Sequence, residues 1–130
     1  ALGLGQIEQL DQFIDTKIHN FKLYNLLLKD NQNVRLLPFR EGVRSNHWFY
    51  ALFVEGNPDL QKIMDSLQSN QIQTRPIWGL IHEQKPYLGS QAYKIEKASY
   101  YATHIINIPC STNLTEEDVR YVAECINTLL

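Results

Sequence analysis

Cysteines, basic clusters and long apolar runs are all scarce in this sequence of 130 residues. The two cysteines, Cys110 and Cys125, lack metal-ligand spacing, so we expect a reduced thiol pair in the cytoplasm. Basic residues number 12 against 14 acidic ones and are scattered, which argues against a nucleic-acid partner. No apolar run in these 130 residues approaches the length of a membrane span, and we expect no signal peptide. The length fits one domain with its own core, and we expect no membrane contact.

The sequence also lacks an arrangement of residues that could catalyse a reaction alone. Its four histidines lie on different predicted elements without a shared spacing, so we expect no metal site. Six of the seven lysines fall on polar faces or ends of predicted helices. The seventh, Lys85, has Glu83 nearby, which disfavours the neutral amine that Schiff-base chemistry needs. The histidines are His19, His47, His82 and His104, and the six helix lysines are Lys17, Lys22, Lys29, Lys62, Lys94 and Lys97.

Hydrophobic periodicity predicts an α+β domain with helices packed on a small, mainly antiparallel sheet of about three strands. Apolar residues of the first 30 positions recur at steps of three, four and seven, which is typical of one helical face. Residues 47–54 are apolar on both faces, as in a covered central strand. The remaining predictions are a possible short strand at 34–37, a helix opened by Asn57-Pro58, a strand at 72–75 stopped by Pro76, a helix at 91–103 and a strand at 104–108.

The last helix has the clearest start. Thr115 is the predicted N-cap, Asp118 its capping-box partner, and Leu114 can pack against Val119 as a hydrophobic staple. The acidic run of residues 116–118 favours the positive end of the helix dipole. We therefore interpret this run as structural rather than metal-binding.

The N-terminal helix pattern is already running at residue 2, without a Met, a capping side chain or a proline. Because the first four N–H groups of a helix need partners, we expect the chain to have been cut from something longer. The helix would then belong partly to another domain. We expect an exposed apolar face around Leu4, Ile7, Leu10 and Ile14, through which the isolated domain could self-associate.

Recognition chemistry is concentrated in residues 72–89, IQTRPIWGLIHEQKPYLG. The planar guanidinium of Arg75 can bind a carboxylate or phosphate through two hydrogen bonds. The flat rings of Trp78 and Tyr87 can stack on a sugar or a base. His82 can donate or accept near neutral pH. Each has a structural alternative: an ion pair for Arg75, cover of the sheet edge for Trp78, a half-buried position for His82. Together on one loop, they favour a binding site.

Several blocks resemble the C-terminal part of the DegT/StrS family, the pyridoxal-phosphate-dependent nucleotide-sugar aminotransferases. The resemblance covers essentially all 130 residues. Gln71 stands where many members have glycine. The blocks are ALGLGQIEQLDQFI, NHWFYALFV, QIQTRPIWGLIH and INIPCSTNLTEEDVRYVAECI. The most specific parts, TRPIWGLIHEQKPY and NIPCSTNLTEEDVRYV, together look most like the subgroup that aminates nucleotide-linked keto sugars on the way to legionaminic-acid-type or perosamine-type sugars.

The resemblance implies a homodimeric enzyme with an aspartate-aminotransferase-like fold, in which glutamate typically aminates a nucleotide-linked keto sugar. This chain would be the C-terminal small domain, with residues 1–30 as interdomain helix and 31–130 as the α+β part. The pyridoxal phosphate, the Schiff-base lysine and the phosphate cup would lie in an N-terminal domain outside this chain. The 130 residues alone are then expected to bind no cofactor, hold no catalytic residue and be inactive.

The resemblance also implies that the 72–89 loop lines the mouth of an active site. Trp78 and His82 would face the sugar nucleotide or the cofactor pocket, and Arg75 an anionic substrate group or the domain interface. Tyr87 and Asn46 are further substrate-binding candidates, with Ser45 weaker. The alternatives are a free-standing small-molecule sensor and a protein-interaction domain, in which Trp78 and Tyr87 would anchor a partner.

Overall fold

The computed structural model describes residues 2–130, with side chains from Gly3 onward. Two helices are followed by two strands, and from there helices and strands alternate. Two short 3₁₀ turns lie in the loop after the third strand. The elements are α1 (Leu2–Ile7), α2 (Leu10–Leu28), β1 (Val34–Leu36), β2 (Tyr50–Val54), α3 (Leu60–Ser69), β3 (Arg75–Pro76), α4 (Glu96–Ala102), β4 (Ile105–Ile108) and α5 (Glu116–Leu129), and the 3₁₀ turns are Ile81–Glu83 and Lys85–Tyr87.

The strands form one antiparallel sheet in the order β1-β2-β4-β3. The predicted α+β class with a small antiparallel sheet is confirmed. The sheet has four strands rather than about three, because the possible strand at 34–37 is formed as the edge strand β1. The other edge strand, β3, is two residues long and pairs with β4.

One face of the sheet carries the main core. Tyr50, Leu52 and Val54 alternate along β2 towards this face and join Ile106 and Ile108 of β4 in a single buried cluster. Helices α2 and α5 pack against each other over this face, and α3 packs on α5. This arrangement buries the apolar stripes of all three helices.

The second face is covered at one end. Phe53 contacts the rings of Tyr100 and Tyr101 of α4, at centroid distances of 5.9 and 6.3 Å, and stacks on His104 at 5.4 Å. Two residues back along β2, Ala51 is only half-buried. The second face is therefore open where β2 begins and β4 ends.

Several predicted boundaries are wrong in an informative way. The strand predicted from residue 47 begins at Tyr50, because His47 has a positive φ of 51° that no strand can contain. The third helix is capped by Asp59, whose side chain accepts from the Lys62 N–H at 3.1 Å, and Asn57 lies before it. The predicted 91–103 helix is shorter, Glu96–Ala102.

The strand predicted at 72–75 with a stop at Pro76 is displaced to Arg75–Pro76. Ile72 is buried in the core instead. Proline is tolerated here because β3 is an edge strand, where its missing N–H faces away from the ladder. Similarly, His104 was predicted to begin the last strand, and β4 starts one residue later.

The predicted capping box of α5 is confirmed. Thr115 Oγ1 accepts from the Asp118 N–H at 3.1 Å, and Asp118 Oδ2 accepts from the Thr115 N–H at 2.8 Å. These hydrogen bonds lower the pKa of Asp118. Glu116 Oε1 lies 2.8 Å from His19 Nε2 of α2, so these two acidic residues hold the helix start in place.

The N-terminal helix is divided, since residues 8 and 9 form a turn between α1 and α2. Leu4, Ile7 and Leu10 are exposed as predicted, at 62, 69 and 49%. Ile14 is half-buried, so the predicted face ends before it. Within residues 2–130 no helix is long and apolar enough to cross a membrane.

Candidate functional site

A groove of about 250 Å³ opens on the uncovered part of the second sheet face. It lies between the start of β2, the end of β4 and the short strand β3. Aromatic and proline rings form most of its walls, and one arginine and two amides provide its polar groups. The lining residues are Phe49, Gln73, Arg75, Pro76, Trp78, Asn107, Ile108, Pro109 and Cys110.

The register of the sheet assembles this groove. Asn107 of β4 is paired with Ala51 on one side and with Arg75 on the other. Directly paired residues project to the same face of a sheet, so these three side chains form one row across three strands. Ala51, with the smallest side chain of the row, leaves the space above the sheet open.

Aromatic rings form the wall at one end of the groove. The rings of Phe49 and Trp78 meet nearly at right angles, 73°, with centroids 6.2 Å apart. Trp48 stacks on Phe49 at 4.6 Å and does not line the groove. Trp78 is 75% exposed, so it shields little of the sheet edge and presents a large apolar surface to solvent.

Arg75 has no carboxylate within ion-pair distance among residues 3–130. Two other arginines do have one: Arg35 Nε lies 3.1 Å from Glu55, and Arg120 lies 3.6 Å from Glu116. The predicted alternative of a surface ion pair is thus not found for Arg75. Its guanidinium remains available for a bidentate contact with an anion.

Lys17 of α2 supports the groove from below. Its Nζ donates to the backbone carbonyl of Cys110 and, at 3.2 Å, to that of Trp48. The Cys110 thiol donates to the same Trp48 carbonyl at 3.2 Å. Tyr50 donates its hydroxyl to the Lys17 carbonyl at 2.6 Å. Helix α2 is therefore tied to both strand ends that form the groove.

The other predicted site residues lie outside the groove. His82 is half-buried in the first 3₁₀ turn, with Nε2 3.7 Å from Glu83 Oε1. Tyr87 is exposed on the second 3₁₀ turn. Asn46 Oδ1 accepts from the Trp48 N–H at 3.2 Å, and Ser45 Oγ from the His47 N–H at 3.0 Å. Arg75 and Trp78 are thus brought together, whereas the roles of His82, Tyr87 and Asn46 stay predictions.

Of the nine groove residues, only Arg75 and Trp78 were identified as site residues from the sequence; the other seven are Phe49, Gln73, Pro76, Asn107, Ile108, Pro109 and Cys110. Asn107 carried a usable signal, because it is a polar residue inside the apolar strand IINI, where buried amides need partners. Phe49 gave no such signal, because in the sequence it is one of several apolar residues in a predicted strand. Its role depends on the pairing of β2 with β4, which is not a local property.

The lysines of residues 3–130 do not suit a Schiff-base cofactor. Lys17 is half-buried, and its ammonium already donates hydrogen bonds to two backbone carbonyl oxygens. The other six are exposed, and none lines the groove. No group of three or more His, Cys, Asp or Glu in the described part of the chain could hold a metal ion.

Comparison with known proteins gives a family match over nearly the whole chain. The model of the DegT/DnrJ/EryC1/StrS aminotransferase family matches residues 1–127. GDP-perosamine synthase from Escherichia coli O157:H7 is 28% identical over 128 residues, which is 98% of this chain and 34% of that protein. EpsN from Bacillus subtilis (strain 168), whose name describes a pyridoxal phosphate-dependent aminotransferase, is 25% identical over 97% of this chain.

The fold of this chain matches part of a solved structure. The crystal structure of DesI in the presence of its TDP-sugar product superimposes with a TM-score of 0.88 at 21% identity, over 97% of this chain and 33% of DesI. At that identity the likeness establishes the fold. The chain spans about a third of the length of the curated relatives it matches, 34% in both cases.

Proposed function

This chain belongs to the DegT/DnrJ/EryC1/StrS aminotransferase family, and we propose that it is the C-terminal, substrate-side domain of a longer pyridoxal-phosphate-dependent aminotransferase. Its substrate would be a nucleotide-linked keto sugar used for cell-surface polysaccharide, in the perosamine-type or legionaminic-acid-type subgroup. Residues 1–30 would be the interdomain helix and residues 31–130 the α+β domain. The whole enzyme would be a cytoplasmic homodimer.

The groove carries this proposal. It combines the guanidinium of Arg75, which has no ion-pair partner among residues 3–130, with the exposed indole of Trp78, on the part of the sheet face that α4 leaves open. A nucleotide sugar offers the matching groups, since its diphosphate is a double anion and its base and sugar rings are flat enough to stack. GDP-perosamine synthase is named for a GDP-linked sugar, and the DesI structure was determined in the presence of its TDP-sugar product. Both support the same substrate class.

We propose that pyridoxal phosphate is bound outside this chain, since no lysine among residues 3–130 lines the groove. The cofactor would be held by the N-terminal part of the longer enzyme. There it would supply the chemistry that moves an amino group from a donor such as glutamate to the keto carbon. EpsN, described as pyridoxal phosphate-dependent, supports this cofactor.

The role of this chain would be to bind and orient the substrate. Arg75 would hold the anionic part, and Trp78 would stack on a ring and exclude water from it. His82 and Tyr87 continue the loop that leaves Trp78, and we propose that they contact the substrate or cofactor pocket from the open side. Asn46 would act indirectly, since it shapes the turn before Trp48.

The test uses the longer enzyme supplied with pyridoxal phosphate, L-glutamate and a nucleotide-linked 4-keto hexose. Trp78→Ala and His82→Ala should raise the KM for the sugar nucleotide or slow half-transamination. Tyr93→Ala is a matched control, because Tyr93 is 74% exposed but lies outside the groove. Kinetics unchanged in both variants would remove the site assignment.

Failure of the unmodified enzyme to aminate any such sugar would remove the function itself. Membership of an aminotransferase family favours this function over a free-standing sensor or a protein-interaction domain.

A further inference from the structure

We propose that the groove between Phe49 and Trp78 is the nucleobase subsite of this substrate. Arg75 would hold the adjoining diphosphate, and the side-chain amides of Gln73 and Asn107 would read the edge of the base. The inference rests on the proposed function and deepens it, because it states which part of a nucleotide sugar this chain recognises.

The groove is large enough for one ring system of a nucleotide sugar but not for the whole molecule. Its volume of about 250 Å³ lies below the roughly 300–1,000 Å³ of pockets that enclose drug-sized ligands. A whole nucleotide sugar exceeds it. Its walls are the rings of Phe49, Trp78, Pro76 and Pro109. A base has two apolar faces for such walls, whereas a hexose carries hydroxyl groups around its ring that apolar walls on several sides would leave without hydrogen-bond partners.

The geometry of the two aromatic rings also fits a base. They are nearly perpendicular, at 73° with centroids 6.2 Å apart. A flat ring stacked on the indole of Trp78 therefore meets Phe49 edge-to-face, which is a favourable arrangement for aromatic pairs. Base stacking on an aromatic side chain typically changes affinity by about 5- to 100-fold.

Two amides stand where the base edge would lie. Gln73 and Asn107 line the groove, and neither side chain is hydrogen-bonded to another residue of the described chain. Each amide offers both donors and an acceptor, as base recognition requires. Asn107 is fixed in the sheet between β2 and β3. The sheet therefore fixes the backbone from which this amide projects into the groove, which makes it suited to discrimination between bases.

The charge distribution sets the direction of the nucleotide. No acidic residue lines this groove, and Arg75 lies on its β3 side. The neighbouring cavity, which shares Gln73, Pro109 and Cys110, contains Asp118. A carboxylate there disfavours phosphates. The diphosphate would therefore run past Arg75 and away from α5.

The first experiment measures binding through tryptophan fluorescence. GDP, dTDP and inorganic pyrophosphate are titrated into the 130-residue chain and into the longer enzyme. The matched variants are Trp78→Leu and Trp48→Leu, since Trp48 is exposed and stacked on Phe49 but outside the groove. We expect Trp78→Leu to weaken GDP or dTDP binding by about 5- to 100-fold. Trp48→Leu should retain both the affinity and the quenching from Trp78.

Two further variants separate the base from the phosphates. Arg75→Gln should weaken binding of the nucleoside diphosphates and of pyrophosphate alike. Asn107→Ala should change the ratio of GDP to dTDP affinity and leave pyrophosphate unaffected. A merely structural role for Asn107 would instead weaken all three probes equally, and that result would overturn its assignment.

Three outcomes would overturn the base subsite: pyrophosphate binding as tightly as the nucleotides, a Trp78→Leu variant with unchanged affinity, or displacement of GDP by L-glutamate at Arg75. The amination assay in the longer enzyme is read separately. Amination with an unchanged KM in Trp78→Leu would reject the subsite and leave the proposed function standing. Nucleotide binding at Trp78 without amination of any sugar would reject the function and leave the subsite.

Discussion

Tyr24 and Tyr50 are buried neighbours that pack edge-to-face, with ring centroids 5.8 Å apart and an interplanar angle of 67°. Both side chains are fully buried. Tyr50 donates its hydroxyl to the Lys17 carbonyl at 2.6 Å, whereas the Tyr24 hydroxyl has no partner among residues 3–130. Burial raises the pKa of both phenols, so both are neutral at physiological pH.

This difference predicts that replacing tyrosine with phenylalanine has different effects on stability at the two positions. Tyr50→Phe should destabilise the domain by about 1 kcal/mol, because it leaves the Lys17 carbonyl without its donor. Tyr24→Phe should be neutral or stabilising, since it removes a buried hydroxyl that makes no hydrogen bond. Urea denaturation followed by circular dichroism measures both, and equal losses in the two variants would contradict the assignment.

A second prediction concerns the lysine that ties α2 to the groove. Lys17→Met should lower the free energy of unfolding by about 1–3 kcal/mol, because the Trp48 and Cys110 carbonyls lose a charged donor. Lys29→Met, at the exposed end of the same helix, should stay within about 0.5 kcal/mol of wild type. Equal midpoints in denaturant for the two variants would show that the Lys17 contacts contribute nothing.

The fold was predictable where its signals are local. Thr115 and Asp118 are three residues apart, so their capping box could be identified from the sequence. The start of β2 was not, because the Ser45 and Asn46 side chains bind backbone N–H groups two residues on and turn the chain through His47. Side-chain bonds of this kind compete with strand pairing, and hydrophobic periodicity does not detect them.

The site was half predictable for a related reason. Arg75 and Trp78 stand out as recognition residues on a loop, whatever the fold. Asn107 and Phe49 become groove residues only because β4 lies between β2 and β3 in the sheet. That order joins segments more than 25 residues apart in sequence, and the composition of the segments does not determine it.

A third prediction is a pH dependence centred on His47. Its ring packs on Phe21 and Phe39 at 4.8 and 4.3 Å. Burial, and then the positive charges of Lys17 and Lys22, lower the pKa of His47 below its ordinary 6.5. The unfolded chain therefore takes up this proton at a higher pH than the folded one. The contribution to stability is complete above pH 6.5 and is lost as the pH falls towards the folded-state pKa.

Two measurements check the prediction for His47. An NMR titration of its ring protons should give a pKa below 6.5. In His47→Asn, which keeps a residue type that tolerates the positive φ of 51°, the loss of stability on acidification below pH 6.5 should become smaller. A normal titration together with an unchanged pH profile in His47→Asn would refute the lowered pKa.

The last prediction concerns the exposed apolar face of α1 and the start of α2, formed by Leu4, Ile7 and Leu10. Monomeric soluble proteins rarely expose contiguous apolar surface without a partner for it. We therefore expect the 130-residue chain to self-associate in a concentration-dependent manner, which sedimentation velocity would detect. Substituting Leu4 and Ile7 with glutamine should reduce this association, because each exposed side chain loses apolar area that contact would bury.

Leu88→Gln provides the control, since Leu88 is 68% exposed but follows the second 3₁₀ turn and belongs to neither α1 nor α2. It should leave the association unchanged. In the longer enzyme the same face would be covered, so the Leu4 and Ile7 substitutions should there lower thermal stability rather than association. A chain that sediments as a monomer at all concentrations, with no stability change in the longer enzyme, would mean that this face has no partner.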